Sequence, residues 1–270
     1  MRVALTIAGS DSSGGAGIQA DLKTFQALGV YGMSAITAVT VQNTQKVFAI
    51  QEMQPEIVHD QITCLFDDIP IHAVKIGMVA SIPLIEAIAR ALGGIRRLPP
   101  VVLDPVMISK SGYALLDADA REALARRLFP LARVVTPNLP EAEAMLGRSI
   151  GDVAAMKQAA RDISDLGAGM VVVKGGHLGM ARATDVLFDG STFKLLESER
   201  IDTANTHGTG CTFSSAIAAG MARGKSFFDS VDDAKRYITG AIAHALPLGK
   251  GCGPTHHFFD LYRRAGMTVG

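Results

Sequence analysis

The sequence has no tryptophan, few other aromatic residues and only three cysteines in 270 positions. Cys64, Cys211 and Cys252 lie far apart, and none of them belongs to a Cys-x-x-Cys pair. An odd number of scattered cysteines argues against a disulfide framework and against a structural zinc site. We therefore expect a protein of the reducing cytoplasm.

An excess of charge of one sign is also missing. The 26 basic residues balance the 26 acidic ones, and no block of Lys and Arg is longer than two residues. Because nucleic-acid-binding surfaces are normally basic, we expect no nucleic-acid partner. An uninterrupted apolar run of about 18 residues is absent too, and the apolar start of the chain is too short for a signal peptide. We expect a soluble protein without a membrane partner.

The sequence does contain a regular alternation of apolar strand patterns and helix patterns. No linker or internal repeat divides the chain, so we predict one domain over residues 1–270. Strands are predicted at residues 3–8, 34–41, 73–76, 101–103, 133–136 and 170–173. Helices are predicted at residues 16–28, 55–66, 83–92, 119–129, 153–166, 212–221 and 231–245.

A hairpin interrupts this alternation, since residues 184–188 and 192–196 flank an Asp-Gly pair suited to a type I′ turn. The other strands are short and apolar without strict polar alternation, which is typical of parallel strands buried on both faces. We therefore predict an α/β fold in which a mostly parallel central sheet lies between two helical layers. Ligands of such sheets bind beyond the carboxyl ends of the strands, where Asp104, Asn138 and Lys174 fall.

A glycine-rich segment, Asn-Thr-His-Gly-Thr-Gly-Cys at residues 205–211, leads directly into an apolar helix. Free backbone N–H groups and the helix dipole make such a helix start an anion site, and glycines let the anion approach. Cys211 lies in this turn, so we expect a lowered thiol pKa that suits a base or a nucleophile. The alternative is a tight strand-to-helix turn with a structural cysteine.

A second glycine-rich loop follows the first strand, and residues 15–20 match the Gly-x-Gly-x-x-Ala dinucleotide pattern. That pattern also needs an acidic residue at the end of the second strand, where this chain has Gln-Asn-Thr at residues 42–44. No Gly-Lys-Ser/Thr follows the glycines, which argues against a Walker A loop. We therefore expect a phosphate donor to bind at residues 208–211.

Further motifs follow in order: Lys-Ile-Gly-Met at 75–78, Asp-Pro-Val at 104–106, Thr-Pro-Asn-Leu-Pro-Glu at 136–141, Lys-Gly-Gly-His at 174–177 and Gly-Pro-Thr-His-His-Phe at 253–258. Together with residues 7–21, 42–44 and 205–211, they resemble the hydroxymethylpyrimidine/phosphomethylpyrimidine kinase family over nearly the whole chain. The resemblance implies a ribokinase-like fold and a role in thiamine biosynthesis. It also implies phosphorylation of 4-amino-5-hydroxymethyl-2-methylpyrimidine and then of its monophosphate, with ATP and Mg²⁺, by a homodimer.

The resemblance assigns site residues as well. The amides of the Cys211 turn would stabilise the transferring phosphoryl group while Cys211 takes the alcohol proton; these catalytic residues are Gly208, Thr209, Gly210 and Cys211. The nucleotide side would comprise Asp104, Asn138, Glu141, Lys174 and Thr206, with Glu141 also near the metal. The substrate side would comprise Gly9, Ala16, Asp21, Gln42 and Met78.

Gln42 also has a chemical argument of its own. An aminopyrimidine presents a donor amine beside an acceptor ring nitrogen, and a carboxamide presents the complementary acceptor and donor. Without the resemblance, Asn138 and Glu141 fit a plain helix-capping pair, and Lys174 fits a solvated lysine.

Two other functions stay open. One is a pyridoxine or pyridoxal kinase of the same fold. The other is a non-kinase protein, either a nucleotide-binding regulator or an enzyme with a nucleophilic cysteine, in which His207 would have to face Cys211.

Overall fold

The computed structural model describes residues 1–107, 116, 118–176 and 182–268. Its strands are β1 (Arg2–Asp11), β2 (Val30–Gln42), β3 (Val47–Glu52), β4 (Ala73–Ile76), β5 (Val101–Leu103), β6 (Val134–Val135), β7 (Val171–Val173), β8 (Arg182–Phe188) and β9 (Phe193–Glu199). They form one sheet in the order β3-β2-β1-β4-β5-β6-β7-β8-β9. The six central strands, β2, β1, β4, β5, β6 and β7, are parallel to one another. At one edge β3 pairs antiparallel with β2, and at the other edge β8 and β9 also pair antiparallel.

Helices cover both faces of this sheet. They are α1 (Gly17–Ala27), α2 (Pro55–Asp68), α3 (Ile82–Gly93), α4 (Ala118–Leu128), α5 (Leu139–Leu146), α6 (Val153–Asp165), α7 (Thr209–Ala222), α8 (Phe227–Ala243) and α9 (Phe259–Arg264). One apolar core includes residues from α2, α3, α4 and α6, and the other includes residues from α1, α7 and α8. The predicted fold class is therefore confirmed.

The central strands are buried because both faces are covered. Every residue of β4, β5 and β7 is buried, which explains why these strands read as short apolar runs. Lys75 in β4 is the exception to their apolar character. No helix in the described ranges is long and apolar enough to cross a bilayer.

Most predicted elements match the structure, and β4 and β5 have the predicted bounds. The predicted ranges do not include β3, α5 or α9, and for α5 the sequence indicated only a capping pair at the helix start. β3 exposes most of its residues at the sheet edge, and α9 has no buried residue, so neither segment carries a clear apolar pattern.

The hairpin between β8 and β9 is present, but its predicted turn type is wrong. Phe188 pairs with Phe193, which leaves a four-residue loop. A type I′ turn needs positive φ at both central residues, and in the described residues every positive φ belongs to a glycine, such as Gly190. Asp189 instead accepts hydrogen bonds from the N–H groups of Ser191 and Thr192 through Oδ1.

Candidate active site

Two charged side chains meet just beyond the carboxyl ends of β5 and β7. Lys174 Nζ lies 2.9 Å from Asp104 Oδ1, and Thr136 donates a hydrogen bond to the same oxygen. Burial works to raise the pKa of Asp104, but Lys174 and Lys75 hold that pKa below its ordinary value. Although burial also opposes the charge of Lys174, Asp104 raises the pKa of this ammonium group. The ion pair is therefore a fixed, charged feature on the predicted nucleotide side.

A capping box begins α5 nearby. Glu141 N–H donates to Asn138 Oδ1 over 2.9 Å, and Asn138 N–H donates to Glu141 Oε2 over 2.8 Å. The capping interpretation of this pair is therefore confirmed. Burial is the main reason that the pKa of Glu141 rises to about 7, with Lys174 opposing the rise and Asp104 adding to it. An additional cation beside this carboxyl group would lower its pKa.

The start of α7 forms the turn for which the sequence predicts an anion site, called the anion-binding turn below. Its N-cap residue, Gly208, has φ of +77°, in the left-handed region that favours glycine. A Cβ atom on Gly208 would lie 1.8 Å from the carbonyl oxygen of Gly15, so the two glycine-rich loops touch here. The helix begins at Thr209, three residues before its predicted start. The N–H groups of this first turn are those that an α-helix leaves without an i−4 acceptor.

The anion-binding turn borders the Asp104–Lys174 ion pair. A Cβ atom on Gly210 would lie 3.3 Å from Asp104 Oδ2 and 3.5 Å from Lys174 Nζ. Thr206 stabilises the turn, because its carbonyl oxygen accepts a hydrogen bond of 2.7 Å from Thr209 Oγ1. Its own N–H points at Cys252 Sγ over 3.4 Å.

Cys211 lies in this turn, but its predicted low pKa is wrong. Burial, with the nearby carboxylates of Asp21 and Asp104, raises the pKa of the thiol to about 11. Lys75 and a hydrogen bond from the Gly17 amide act in the other direction and are outweighed. The helix N-terminus alone therefore does not decide the charge of this group.

Asp21 lies beneath the site and not on its surface. Its side chain is fully buried, and Lys75 Nζ lies 2.9 Å from Oδ1 and 2.8 Å from Oδ2. Thr6 and Ser215 each donate a further hydrogen bond to this carboxylate. With its oxygens occupied in this way, Asp21 is not placed to contact a substrate, in contrast to the prediction. Lys75, the equally buried partner of Asp21, has no predicted role, although it lies in the Lys-Ile-Gly-Met motif.

Gly9 and Met78 are brought together on the predicted substrate side. A Cβ atom on Gly9 would lie 2.4 Å from Met78 Cε, so the thioether methyl group lies directly against the glycine backbone. The pairing of β1 with β2 shifts register at this point. Ala16 is partly exposed in the neighbouring glycine loop, and its N–H donates to Asp11 Oδ2 over 2.8 Å.

Gln42 lies in a cleft of about 110 Å³ at the end of β2. His207 is part of the same cleft, and its Nε2 lies 2.8 Å from Asp11 Oδ2 and 3.4 Å from Gln42 Nε2. The other residues that line the cleft are Asn43, Thr44, Gln45, Lys46, Gly251 and Cys252. Since His207 directly precedes Gly208, the cleft adjoins the anion-binding turn.

Asp11 and His207 are absent from the predicted site residues, although both lie within motifs that carry the resemblance. The position of Asp11 at the start of a glycine-rich loop could have indicated its role, because a carboxylate there accepts local backbone hydrogen bonds. The ring of His207 faces Asp11, and this contact gives no support to a cysteine-histidine nucleophile.

Known proteins resemble this chain along almost its full length. A profile of the family described as phosphomethylpyrimidine kinase matches residues 11–256. A hydroxymethylpyrimidine/phosphomethylpyrimidine kinase from Rhizobium meliloti is 55% identical over 260 residues, which cover 95% of this chain and 97% of that protein. The chain belongs to the phosphomethylpyrimidine kinase family.

Two further known proteins resemble this chain in sequence or in structure. The thiamine biosynthesis bifunctional protein ThiED from Geobacter sulfurreducens is 53% identical over 253 residues, which cover 94% of the chain and 51% of that protein. The structure of an ADP complex of Bacillus subtilis pyridoxal kinase matches with a TM-score of 0.88 and 44% identity, covering 95% of the chain and 97% of that structure. The chain is a kinase with a ribokinase-like fold.

Proposed function

We propose that this phosphomethylpyrimidine kinase transfers the γ-phosphoryl group of ATP to the hydroxymethyl group of 4-amino-5-hydroxymethyl-2-methylpyrimidine, and then to the resulting monophosphate. The diphosphate product serves thiamine biosynthesis. One observation carries the proposal: the Gln42 cleft, the anion-binding turn and the Asp104–Lys174 ion pair adjoin one another in that order. This order matches the pyrimidine, the transferring phosphoryl group and the nucleotide phosphates.

The transferring phosphoryl group is stabilised by the first turn of α7. The amides of Gly210 and Cys211 would donate to its oxygens, and the helix dipole favours its negative charge. The Thr209 amide already donates to the Thr206 carbonyl oxygen over 3.3 Å and shapes the turn. Lys174 neutralises charge on the nucleotide phosphates, while Asp104 holds the lysine in place. Thr206 contributes to the nucleotide side by holding Thr209.

A magnesium ion fits the residues around Glu141. In the described part of the chain no three His, Cys, Asp or Glu side chains form a metal cage, and Mg²⁺ commonly uses one or two carboxylates together with substrate phosphates. Burial raises the pKa of Glu141 to about 7 although Lys174 opposes the rise, so an additional cation would stabilise its carboxylate. When bound, the ion would neutralise phosphate charge; Glu141 and Asn138 would hold it.

Cys211 is the proposed proton acceptor for the substrate hydroxyl. A thiol with a pKa of about 11 is mostly protonated at neutral pH, so the small thiolate fraction is the active form. Such a thiolate is a stronger base than one with a low pKa, and the loose transition state of phosphoryl transfer removes the alcohol proton late. The positive charge of Lys75 lowers the pKa of the Cys211 thiol and so favours the thiolate.

The substrate side comprises Gly9, Ala16, Gln42 and Met78. Gln42 reads the amino group and ring nitrogen of the pyrimidine. Met78, packed on Gly9, offers a polarizable surface to the flat ring. Asp21 supports this side only through Lys75.

Assembly and location complete the proposal. We infer one kinase domain over residues 1–270, because a single sheet connects the early and late parts of the chain. A cytoplasmic location agrees with the three free cysteines. A homodimer agrees with the apolar side chains that β2 and β3 expose, namely Val39, Val41 and Phe48 at 46%, 59% and 55% exposure. Light scattering of the wild type and of a Val41→Asp variant tests the dimer, which should dissociate in the variant.

A pyridoxal kinase activity is the second candidate function, and the fold likeness to the Bacillus subtilis pyridoxal kinase favours it. Both functions are tested by ADP release with the pyrimidine, its monophosphate and pyridoxine, assayed separately with ATP and Mg²⁺. We expect turnover of both pyrimidines, and a large loss of it in Gln42→Ala. Preferred turnover of pyridoxine would replace the first function with the second, and no turnover of any alcohol would refute both.

A further inference from the structure

The proposed function assigns a role to Ala16 alone within the glycine-rich loop that follows β1. This loop, residues 11–16, is called the Asp11 loop below. Its conformation depends on glycine, since Gly14 has φ of +78° and donates its N–H to the carbonyl oxygen of Asp11 over 2.9 Å. The proposed phosphate site lies at α7, so the glycines of this loop need another explanation.

Five donors converge on the carboxylate of Asp11. Oδ1 accepts from the N–H and the hydroxyl of Ser13 over 2.8 and 2.7 Å. Oδ2 accepts from the N–H of Gly15 over 3.1 Å and from that of Ala16 over 2.8 Å. The fifth donor is His207 Nε2, which lies 2.8 Å from Oδ2 and comes from 196 positions away in sequence. Four of these bonds shape the loop, and the fifth connects it to the residue before the anion-binding turn.

The Asp11–His207 hydrogen bond is buried and charged. Burial works to raise the pKa of Asp11, but hydrogen bonds from His207 and Ser13 lower it to about 2. The group is therefore a carboxylate at neutral pH and only accepts, so His207 Nε2 carries a hydrogen. The side chains of His207 and Asp11 are only 9% and 4% exposed. Since hydrogen bonds to a charged acceptor are the stronger kind, this contact is a firm connection between the two segments.

Close packing accompanies the hydrogen bond. A Cβ atom on Gly15 would lie 2.4 Å from His207 Cδ2, so only glycine lets the imidazole ring approach the loop. The carbonyl oxygen of Gly15 in turn lies where a Cβ atom of Gly208 would be, 1.8 Å away. The Asp11 loop is therefore fitted directly against the start of α7.

The same loop is bonded to the end of β2. Ser12 Oγ donates to the carbonyl oxygen of Gln42 over 2.7 Å and accepts from the Gln42 N–H over 3.0 Å. These two bonds hold the backbone of the residue that we propose to read the pyrimidine. The Asp11 loop thus joins the proposed acceptor site at Gln42 to the proposed phosphoryl site at α7.

We propose that Asp11 and His207 are positioning residues, whose hydrogen bond holds the Asp11 loop against the anion-binding turn and so sets the distance between the pyrimidine and the transferring phosphoryl group. The inference rests on the proposed function, because it needs an acceptor held at Gln42. Neither residue has to touch a reacting atom. Positioning supplies much of the rate of phosphoryl transfer, and a displacement of about 1 Å can cost about a hundredfold.

The test measures kcat for phosphorylation of 4-amino-5-hydroxymethyl-2-methylpyrimidine, together with the Kd of the pyrimidine and of ATP by calorimetry. His207→Phe keeps a flat ring against Gly15 but removes the N–H donor. His207→Gln loses the ring but keeps an N–H that can reach Asp11. Asp11→Ala removes the acceptor. Asp189→Ala is the matched control, because Asp189 also accepts two N–H groups of its own loop, at the far edge of the sheet.

We expect His207→Phe to lower kcat about a hundredfold while both Kd values change less than about twofold, because each substrate keeps its own site. His207→Gln should recover most of the loss. In an Asp11→Ala background, His207→Phe should lower kcat little further, since the hydrogen bond is already absent. Asp189→Ala should keep the wild-type kcat.

An unchanged kcat in His207→Phe would overturn the positioning role, and so would the same loss with and without Asp11. A weaker Kd for the pyrimidine with kcat unchanged would also overturn it, since His207 would then be a binding residue. If the wild type converts no pyrimidine, the proposed function fails and the positioning role fails with it. Circular dichroism melting shows whether each variant is folded, and the two His207 variants decide the matter if Asp11→Ala is not.

Discussion

Cys211 lies at a helix N-terminus, yet burial raises the pKa of its thiol to about 11. A sequence shows which residue starts a helix, but it does not show that Asp21 and Asp104 come close to that residue from other strands and helices. The same limit explains the misplacement of Asp21, whose partner Lys75 is 54 positions away. Residue type and motif predicted where the site is, whereas burial and long-range charge decided what each group does there.

The pKa of Cys211 predicts a pH dependence. A base acts in its deprotonated form, so the thiolate fraction, and with it kcat, should rise about tenfold per pH unit well below the pKa. We expect kcat to increase from pH 7 to pH 9.5. The slope should vanish in Cys211→Ser and persist in Cys64→Ser, whose thiol is exposed and distant in sequence. A flat profile in the wild type would contradict a base role for Cys211.

The buried ion pair of Asp21 and Lys75 predicts a large stability effect. Removing one partner leaves an uncompensated buried charge, which costs about 3–5 kcal/mol. We expect Lys75→Met to lower the free energy of unfolding in urea by that amount. Arg90→Ala breaks a surface pair with Glu56, whose side chains are 54% and 73% exposed, and should cost at most about 1 kcal/mol. Equal losses would show that Asp21 does not depend on the lysine charge.

At the scale of single elements, strands and helices with strong apolar patterns were predictable. β4 and β5 match the predictions to the residue because both are short, buried runs. The exposed edge strand β3 and the helix α9 lack that pattern, and they depend on neighbouring segments for their conformation. The start of α7 was placed three residues late because glycines at 208 and 210 hide a helix start in the sequence.

The contact of the two glycine-rich loops predicts the effect of adding a methyl group. Gly208→Ala would place a Cβ atom 1.8 Å from the Gly15 oxygen and should open the anion-binding turn. Gly224 at the other end of α7 also has positive φ, of +83°, but has open space around it. Gly224→Ala should therefore cost only about 1–2 kcal/mol of stability. Both variants should be compared by thermal unfolding and by kcat.

We expect Gly208→Ala to lose kcat by about a hundredfold or more, as when one oxyanion-type donor is lost, while Gly224→Ala keeps it. Similar kcat values in the two folded variants would mean that the first turn of α7 does not hold the transferring group.

For the whole molecule, the alternation of strand and helix patterns was sufficient to predict a mostly parallel sheet between helical layers, as observed. The carboxyl ends of the parallel strands bring together Asp11, Gln42, Asp104 and Lys174. These residues come from segments up to 163 positions apart in sequence. That gathering follows from topology, so the approximate site was predictable. The contacts of Asp11 with His207 were not, because they join loops whose conformations no periodic pattern describes.

A competition between 4-amino-5-hydroxymethyl-2-methylpyrimidine and pyridoxine for the wild-type protein with ATP and Mg²⁺, followed by ³¹P NMR of the products, tests the proposed substrate directly. We expect the pyrimidine monophosphate to form first and then to be converted to the diphosphate, with little pyridoxine phosphate. Pyridoxine phosphate as the main product, or pyrimidine monophosphate that is never converted further, would contradict this expectation.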